Sequence, residues 1–275
     1  MSTLRYLLIV FSFVFFVNVN VSVAKDNLPE PVTWNSDLKD LIFDDEEILD
    51  GSHLFTMESP YRALDAAMVP IKIDFINENF ANQPVVKALT LIVDENPSPV
   101  VGKFNFTKKI GDAGLITRIR VDKYTYVRAI AEMSDNKKYM VANFVKAAGG
   151  CSAPSLADID AIMARLGKMK VKFIETGPVG HLNKAQLLIS HPNYSGLQFN
   201  QLTRAEIPAH FVNSIKVYQD NELIFEANSD ISLSEDPSIT FNYVNSGGPI
   251  VVDVEDSEGM KFAGEYPVSQ VFSSK

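Results

Sequence analysis

Leu115-Ile116-Thr117-Arg118-Ile119-Arg120-Val121 alternates in side-chain character along its whole length. Leu115, Thr117, Ile119 and Val121 fall on one face of an extended strand, and Ile116, Arg118 and Arg120 fall on the other. That alternation predicts a strand with one buried and one wet face, as in an antiparallel sheet. Runs of the same kind recur on both sides at the spacing of a β-sandwich: Ser52 to Glu58, Met68 to Ile76, Val85 to Val93, Val100 to Phe106, Tyr124 to Glu132 and Lys138 to Val145. Asp94-Glu95-Asn96-Pro97-Ser98-Pro99 is a strong break, and Asp122-Lys123 and Ser134-Asp135-Asn136 suit tight turns.

Beyond this first set of strands lies Lys146-Ala147-Ala148-Gly149-Gly150-Cys151-Ser152-Ala153-Pro154, with the only cysteine of the chain. Two adjacent glycines free the backbone and the neighbouring side chains are small, so the stretch reads as a surface loop presenting a thiol. A helix from Leu156 to Leu166 follows, with Ser155 as N-cap, Asp158 as its capping partner and Gly167 as terminator. Leu156, Ile159, Ile162, Met163 and Leu166 share one face of that helix, which should dock on a domain. Strands then resume at Met169 to Glu175, Lys184 to Ser190, Phe211 to Tyr218, Glu222 to Glu226, Ser238 to Val244, Pro249 to Glu255 and Met260 to Glu265. Gln219-Asp220-Asn221 and Asp256-Ser257-Glu258-Gly259 are the expected hairpin turns. The fold class is therefore all-β: two Ig-like β-sandwich domains joined by a cysteine-bearing loop and a short helix. The lack of alternating helices argues against a parallel α/β fold.

A length of 275 residues with 46% apolar content suffices for two domains. Residues 1–24 differ from the rest, with Arg5 as the single charge, an apolar run from Tyr6 to Val17, and small residues at Ser22-Val23-Ala24. They read as a signal peptide cleaved before Lys25, rather than an uncleaved anchor, because Asn18 and Asn20 interrupt the far end. Loss of Arg5 takes the formal charge from −9 to −10, which argues against nucleic acid and anionic membrane surfaces as partners. The expected organisation is a signal peptide (1–24), a first sandwich ending in the Cys151 loop (25–153), a linker helix (154–168) and a second sandwich (169–275). The expected location is the periplasm.

A lone thiol in an oxidising compartment points to intermolecular pairing or to reactivity, and its commoner alternative is burial. Nucleophilic catalysis by Cys151 would require a positioned base, and the candidates are His53, His181, His191 and His210. A glycine-flanked thiol is poorly held for catalysis, so structural histidines and no catalytic residue are expected. One cysteine and scattered histidines lack zinc-ligand spacing. The carboxylates of Asp44-Asp45-Glu46-Glu47 match no cation loop and read as a solvated turn. Gly247-Gly248-Pro249 lacks the lysine and helix start of a phosphate cradle. No metal or cofactor is expected. Asn105 and Asn193 open formal glycosylation sequons, the first inside an expected strand.

Several segments together resemble a known family. Asp65-Ala66-Ala67-Met68-Val69-Pro70-Ile71, Asp94 to Pro99, Thr117-Arg118-Ile119-Arg120 and Gly149-Gly150-Cys151 resemble the Y-type subunit of the SoxYZ sulfur carrier. His191-Pro192-Asn193-Tyr194-Ser195-Gly196, followed by Ile207-Pro208-Ala209-His210-Phe211, resembles the Z-type subunit. The chain is thus similar to a SoxYZ fusion, and to the fused SoxYZ-like carriers associated with pyrroloquinoline-quinone dehydrogenases of methylotrophic bacteria. The resemblance implies a non-catalytic carrier with Cys151 as the covalent attachment thiol and Gly149 and Gly150 as its flexible hinge. It also implies sulfur-oxidation enzymes or a quinoprotein dehydrogenase as partners. A Y-type chain ends in Gly-Gly-Cys-Gly-Gly, whereas here Ser152-Ala153-Pro154 leads onward, so the tail has become a loop anchored at both ends. Two other readings stay open: a non-covalent accessory module for a quinoprotein dehydrogenase with the cysteine incidental, and a cysteine hydrolase.

Overall fold

A computed structural model describes residues 28–44, 46–76, 85–154, 159–201 and 203–268. Residues 1–24, expected to be a signal peptide, and Ser155 and Asp158 lie outside these described residues, and the described residues from Pro31 onward belong to one compact unit. A π-helical turn, Trp34–Leu38, continues into α1, Lys39–Phe43. The strands of the first half are β1 (Ile48–Asp50), β2 (Phe55–Glu58), β3 (Val69–Phe75), β4 (Val86–Val93), β5 (Val100–Phe106), β6 (Leu115–Ile119), β7 (Thr125–Met133) and β8 (Lys138–Val145). After α2 (Ile159–Met163) come β9 (Met169–Glu175), β10 (Leu182–Ile189), β11 (Gln198–Phe199), β12 (Glu206–Ile207), β13 (Val212–Gln219), β14 (Glu222–Ser229), β15 (Ser238–Val244), β16 (Ile250–Asp256) and β17 (Lys261–Tyr266). The all-β expectation holds. Of the helix expected from Leu156 to Leu166, residues 156–158 lie outside the described residues, Ile159–Met163 form α2, and turns continue from Ala164 to Gly167.

The two sandwiches share their sheets. One nine-stranded sheet runs β1-β8-β7-β4-β5-β14-β13-β16-β17, and a six-stranded sheet runs β2-β3-β6-β15-β10-β9. The crossing points are β5 against β14, with Phe106 opposite Phe225 and Phe104 opposite Ala227, and β6 against β15, with Leu115 opposite Phe241. Each pairing satisfies backbone groups that two separate sandwiches would leave at open edges. A single apolar core consequently spans both halves, with Leu89, Phe104, Phe225 and Phe241 among its members. The Phe225 ring lies 5.1 Å from Phe241 and 6.4 Å from Phe104. A joint held by both backbone ladder and core packing leaves little freedom for relative motion of the halves.

A second, smaller core forms where Trp34, Leu38 and Phe43 cover Ile92 and Ile130. There the Arg128 guanidinium lies 4.3 Å from the Trp34 ring centroid and makes a forked contact with Asp94, at 2.8 and 2.7 Å. This pair is satisfied on all sides, which is how a buried charge is tolerated.

β6 departs from its expected wet face. Arg118 is half-buried and Arg120, just past the end of the strand, is 1% exposed. Alternation correctly assigns the faces of this strand, but the second half of the chain covers the face predicted to be solvated.

Candidate functional site

The cysteine loop emerges from β8 and lies down on the end of the first sandwich. Lys146 N–H donates to the Tyr61 carbonyl at 2.7 Å, Gly149 N–H to Asp122 at 2.8 Å and Gly150 N–H to Val121 at 3.0 Å. Gly149 has φ +78°, and a Cβ on Gly150 would stand 2.1 Å from the Ala66 carbonyl oxygen. Glycine is therefore required at 150 for close packing rather than for mobility. The flexible hinge expected at Gly149 and Gly150 is, in this conformation, a fitted turn.

On its other side the loop is held by Arg120, just past β6, and by the second half. Arg120 donates from Nη1 to the Gly150 carbonyl at 3.0 Å and from Nη2 to the Asn193 carbonyl at 3.1 Å. Ser195 Oγ donates to the carbonyl of Cys151 itself, and Gln198 Nε2 to that of Ala153 at 2.7 Å. Ser195 and Gln198 are mutually fixed, the Ser195 N–H donating to Gln198 Oε1 at 3.1 Å. The carbonyl of Gly150 thus meets Arg120 of the first half, and those of Cys151 and Ala153 meet Ser195 and Gln198 of the second, which satisfies all three in this conformation.

Cys151 is 0% exposed, contrary to the expectation of a surface thiol. Loop residues are usually at the surface, but here both walls of the cleft supply hydrogen bonds that allow this one to be enclosed. Burial, reinforced by the negative charge of Asp122, pushes the thiol pKa up to about 12, with Arg120 opposing. The thiol is protonated at neutral pH and a poor nucleophile in this state. Among the described residues, Asp122 and Arg120 are the charged groups that act on it, and no histidine is among them.

Two of the four histidines meet elsewhere in the second half. His191 and His210 stack edge to face at 4.6 Å, and Asp256 Oδ2 lies 2.8 Å from His210 Nε2 and 3.5 Å from His191 Nε2. Asp256, at the end of β16, also accepts the N–H groups of Glu258 and Met260, both at 2.9 Å. These three side chains could present ligand atoms to a cation, a grouping that sequence spacing does not suggest. The Asn193 N–H, however, donates to His191 Nδ1 at 3.1 Å. The neutral ring must then carry its hydrogen on Nε2, which leaves that atom no lone pair for a metal. The arrangement instead fixes the turn from His191 to Ser195, and burial with the nearby His210 lowers the His191 pKa to about 4, although Asp256 opposes. Asn193, the second formal sequon, is fully buried, its Oδ1 accepting from Val212 N–H and its Nδ2 donating to the Leu233 carbonyl.

The expected thiol and glycines therefore converge with residues that periodicity did not single out. Arg120 alternates like a solvated strand residue, Ser195 lies in the His191 to Gly196 segment quoted above for its overall likeness, and Gln198 follows it. The four-residue match from Thr117 to Arg120 was the sequence signal for the arginine.

The SoxY family, described as sulfur oxidation protein SoxY, matches residues 39–151, ending on Cys151. The SoxZ family, described as sulphur oxidation protein SoxZ, matches residues 171–267. Among curated proteins, none matches the chain. Among solved structures, the chain is similar to the sulfur carrier protein SoxY from Chlorobium limicola f thiosulfatophilum, at 19% identity and TM-score 0.35, over 42% of this chain and 94% of that one. A beta-glycosidase from Bacteroides vulgatus aligns at 8% identity and TM-score 0.24, over 78% of this chain and 24% of that one. A glycosyl hydrolase family 2 member from Bacteroides cellulosilyticus DSM 14838 aligns at 8% identity and TM-score 0.22, over 78% and 29%. The chain thus spans only 24% and 29% of the lengths of these two hydrolases. The tandem order of the two family matches, meeting on either side of the cysteine loop, makes this chain a member of the SoxY and SoxZ families with both domains fused in one polypeptide.

Proposed function

We propose that the protein is an exported, non-catalytic carrier in sulfur-compound oxidation, which holds its cargo covalently on Cys151 and works in the periplasm after loss of residues 1–24. The observation that carries this reading is the position of the only cysteine, at the last residue of the SoxY match and on the Gly149-Gly150 turn. The structure is a closed state in which the thiol is sheltered. Its latch consists of the hydrogen bonds from Arg120 of the SoxY half and from Ser195 and Gln198 of the SoxZ half, and a docking enzyme can replace such bonds with its own. Loading joins Cys151 Sγ to a sulfur atom of the cargo, with the thiol proton released and two electrons passed to an oxidising partner enzyme. Sulfur-oxidation enzymes or a quinoprotein dehydrogenase are the proposed partners. Intact mass of protein from its native host, with and without reductant, should reveal a reducible adduct that Cys151→Ser abolishes. Absence of any adduct across growth conditions would overturn the reading.

The enclosed, protonated thiol favours a second reading, a non-covalent accessory module of a quinoprotein dehydrogenase in which Cys151 only fills space. It expects Cys151→Ser to retain full function while deletion of the protein alters the dehydrogenase's activity. A loss of function in Cys151→Ser that leaves folding intact would exclude it.

A further inference from the structure

The buried His191 ring is tied to the cysteine loop by two short routes. Its Nδ1 accepts the Asn193 N–H at 3.1 Å. The Asn193 carbonyl in turn accepts Arg120 Nη2 at 3.1 Å, and the same guanidinium holds the Gly150 carbonyl at 3.0 Å. Two residues further along the turn, Ser195 Oγ donates to the Cys151 carbonyl. Asn193 has φ +43°, a left-handed conformation unfavourable for a residue with a side chain, so the turn keeps its shape through the bonds that hold it.

The neutral ring has one place left for a proton. Nε2 carries the hydrogen and lies 3.5 Å from Asp256 Oδ2, an oxygen held more closely by His210 Nε2 at 2.8 Å. A second proton must therefore enter at Nδ1, where the Asn193 N–H already points. Two donors then face each other, and the bond that sets the turn becomes a repulsion. The surrounding groups act in both directions. Asp256 favours a charge on the ring, and His210, stacked at 4.6 Å, opposes it. Glu258 lies 3.8 Å from His210 Nδ1. Asp236 accepts the His191 N–H at 3.1 Å and is paired with Arg165 at 2.6 Å, with Glu235 3.9 Å from the same arginine. Arg120 reaches the turn through the Asn193 carbonyl, and burial keeps the Tyr194 hydroxyl un-ionised.

We infer that His191 is a proton-operated release for the cysteine loop: protonation of Nδ1 breaks its bond with Asn193, the turn rearranges, and the bonds from Arg120 and Ser195 to the loop carbonyls are lost together. The sign follows from burial. The closed state holds His191 neutral, its pKa lowered from 6.5 to about 4 chiefly by burial, whereas an opened turn admits water and lets the ring titrate nearer its ordinary value. The closed loop is therefore fully favoured above the ordinary value, and a fall in pH toward 4 shifts the population to the open form. The size of that displacement limits the effect to roughly 300-fold. The inference stands whether Cys151 carries cargo or only fills space.

The test is the rate at which dithiodipyridine, a disulfide that stays reactive in acid, labels Cys151 in the full chain between pH 7 and pH 4.5. Dividing the rate for the urea-unfolded chain at the same pH by this rate gives a protection factor. Protection should fall about tenfold or more across the range, with labelling insensitive to low urea, as a local opening requires. His191→Asn keeps an acceptor near the place of Nδ1 and takes up no proton, so its protection should match the parent's at pH 7 and stay level. A second readout keeps the histidine intact. The enclosed thiol leaves no room for a bulky label, so in the labelled chain the loop stays open and the His191 ring should titrate about one pH unit or more higher by NMR. Protection constant with pH, an equal loss in His191→Asn, a ring midpoint unmoved by the label, or labelling that climbs steeply with urea would each overturn the inference. A missing adduct in the mass measurement would defeat the carrier reading and leave these rates unchanged.

Discussion

The SoxY and SoxZ halves are joined at a sheet seam and at the cysteine loop, and the two junctions use different physics. At the seam, β5 pairs with β14 and β6 with β15, and Phe104, Phe225 and Phe241 pack behind the ladder. At the loop, Ser195 and Gln198 reach across to the carbonyls of Cys151 and Ala153, Arg120 of the SoxY half bonds that of Gly150, and Gly149 and Gly150 fit against Val121 and Asp122. Breaking the seam would expose apolar surface and orphan a row of backbone groups, whereas opening the loop exchanges a few hydrogen bonds for bonds to water or to a partner. A joint built on ladder and core and a joint built on a few hydrogen bonds thus lie side by side, and the sole thiol is on the second.

The largest effect should come from the seam. Phe225→Ala removes a fully buried ring at the crossing point and should cost about 4 kcal/mol, with both halves unfolding in one transition by denaturant titration. Separate transitions for the two halves would show that the shared sheets do not couple them.

Acidification tests the support beneath the loop. The folded-state pKa of His191 is depressed to about 4, so the unfolded chain binds a proton that the folded one refuses between the ordinary histidine value and that point. Stability is therefore complete above the ordinary value and falls as pH drops toward 4, by about 3 kcal/mol at most. Chemical denaturation at pH 7 and pH 4 checks this, and His191→Gln should flatten the dependence.

Gly150→Ala would force a Cβ against the Ala66 carbonyl and should cost about 2 kcal/mol, the loop lifting from its seat. Reaction of Cys151 with an aromatic disulfide at pH 8 should then accelerate strongly. An unchanged rate would mean that the loop relaxes without opening.

The smallest effect belongs to one strand of the latch. Ser195→Ala removes the donor to the Cys151 carbonyl and should cost about 1 kcal/mol globally while raising the thiol labelling rate roughly fivefold to tenfold. If the rate is unmoved, Ser195 is not part of what holds the loop closed.

Much of this architecture is legible in the sequence. β8, β9 and β15 occupy the runs expected of them because alternating β-branched and aromatic residues bounded by turn formers admit little else. β1, β11 and β12 are too short to carry a period and were not expected. Arg118 and Arg120 fall on the face that alternation assigns, but alternation reports only which residues share a face. What covers that face depends on chain from the SoxZ half. The same limit applies to the thiol: glycines and small residues mark a loop, and the Arg120, Ser195 and Gln198 contacts that enclose it come from distant positions.

The sequence by itself determined most of the strands, the all-β class and the place of the one thiol in a glycine-flanked loop, because these depend on local periodicity, turn chemistry and residue count. Only the tertiary structure decided that the sandwiches share sheets, that Cys151 is enclosed and that Arg120 is buried against the carbonyls of Gly150 and Asn193. Those properties arise from contacts between residues far apart in the chain, where loop-closure and packing energies choose the neighbour and local propensity has no influence.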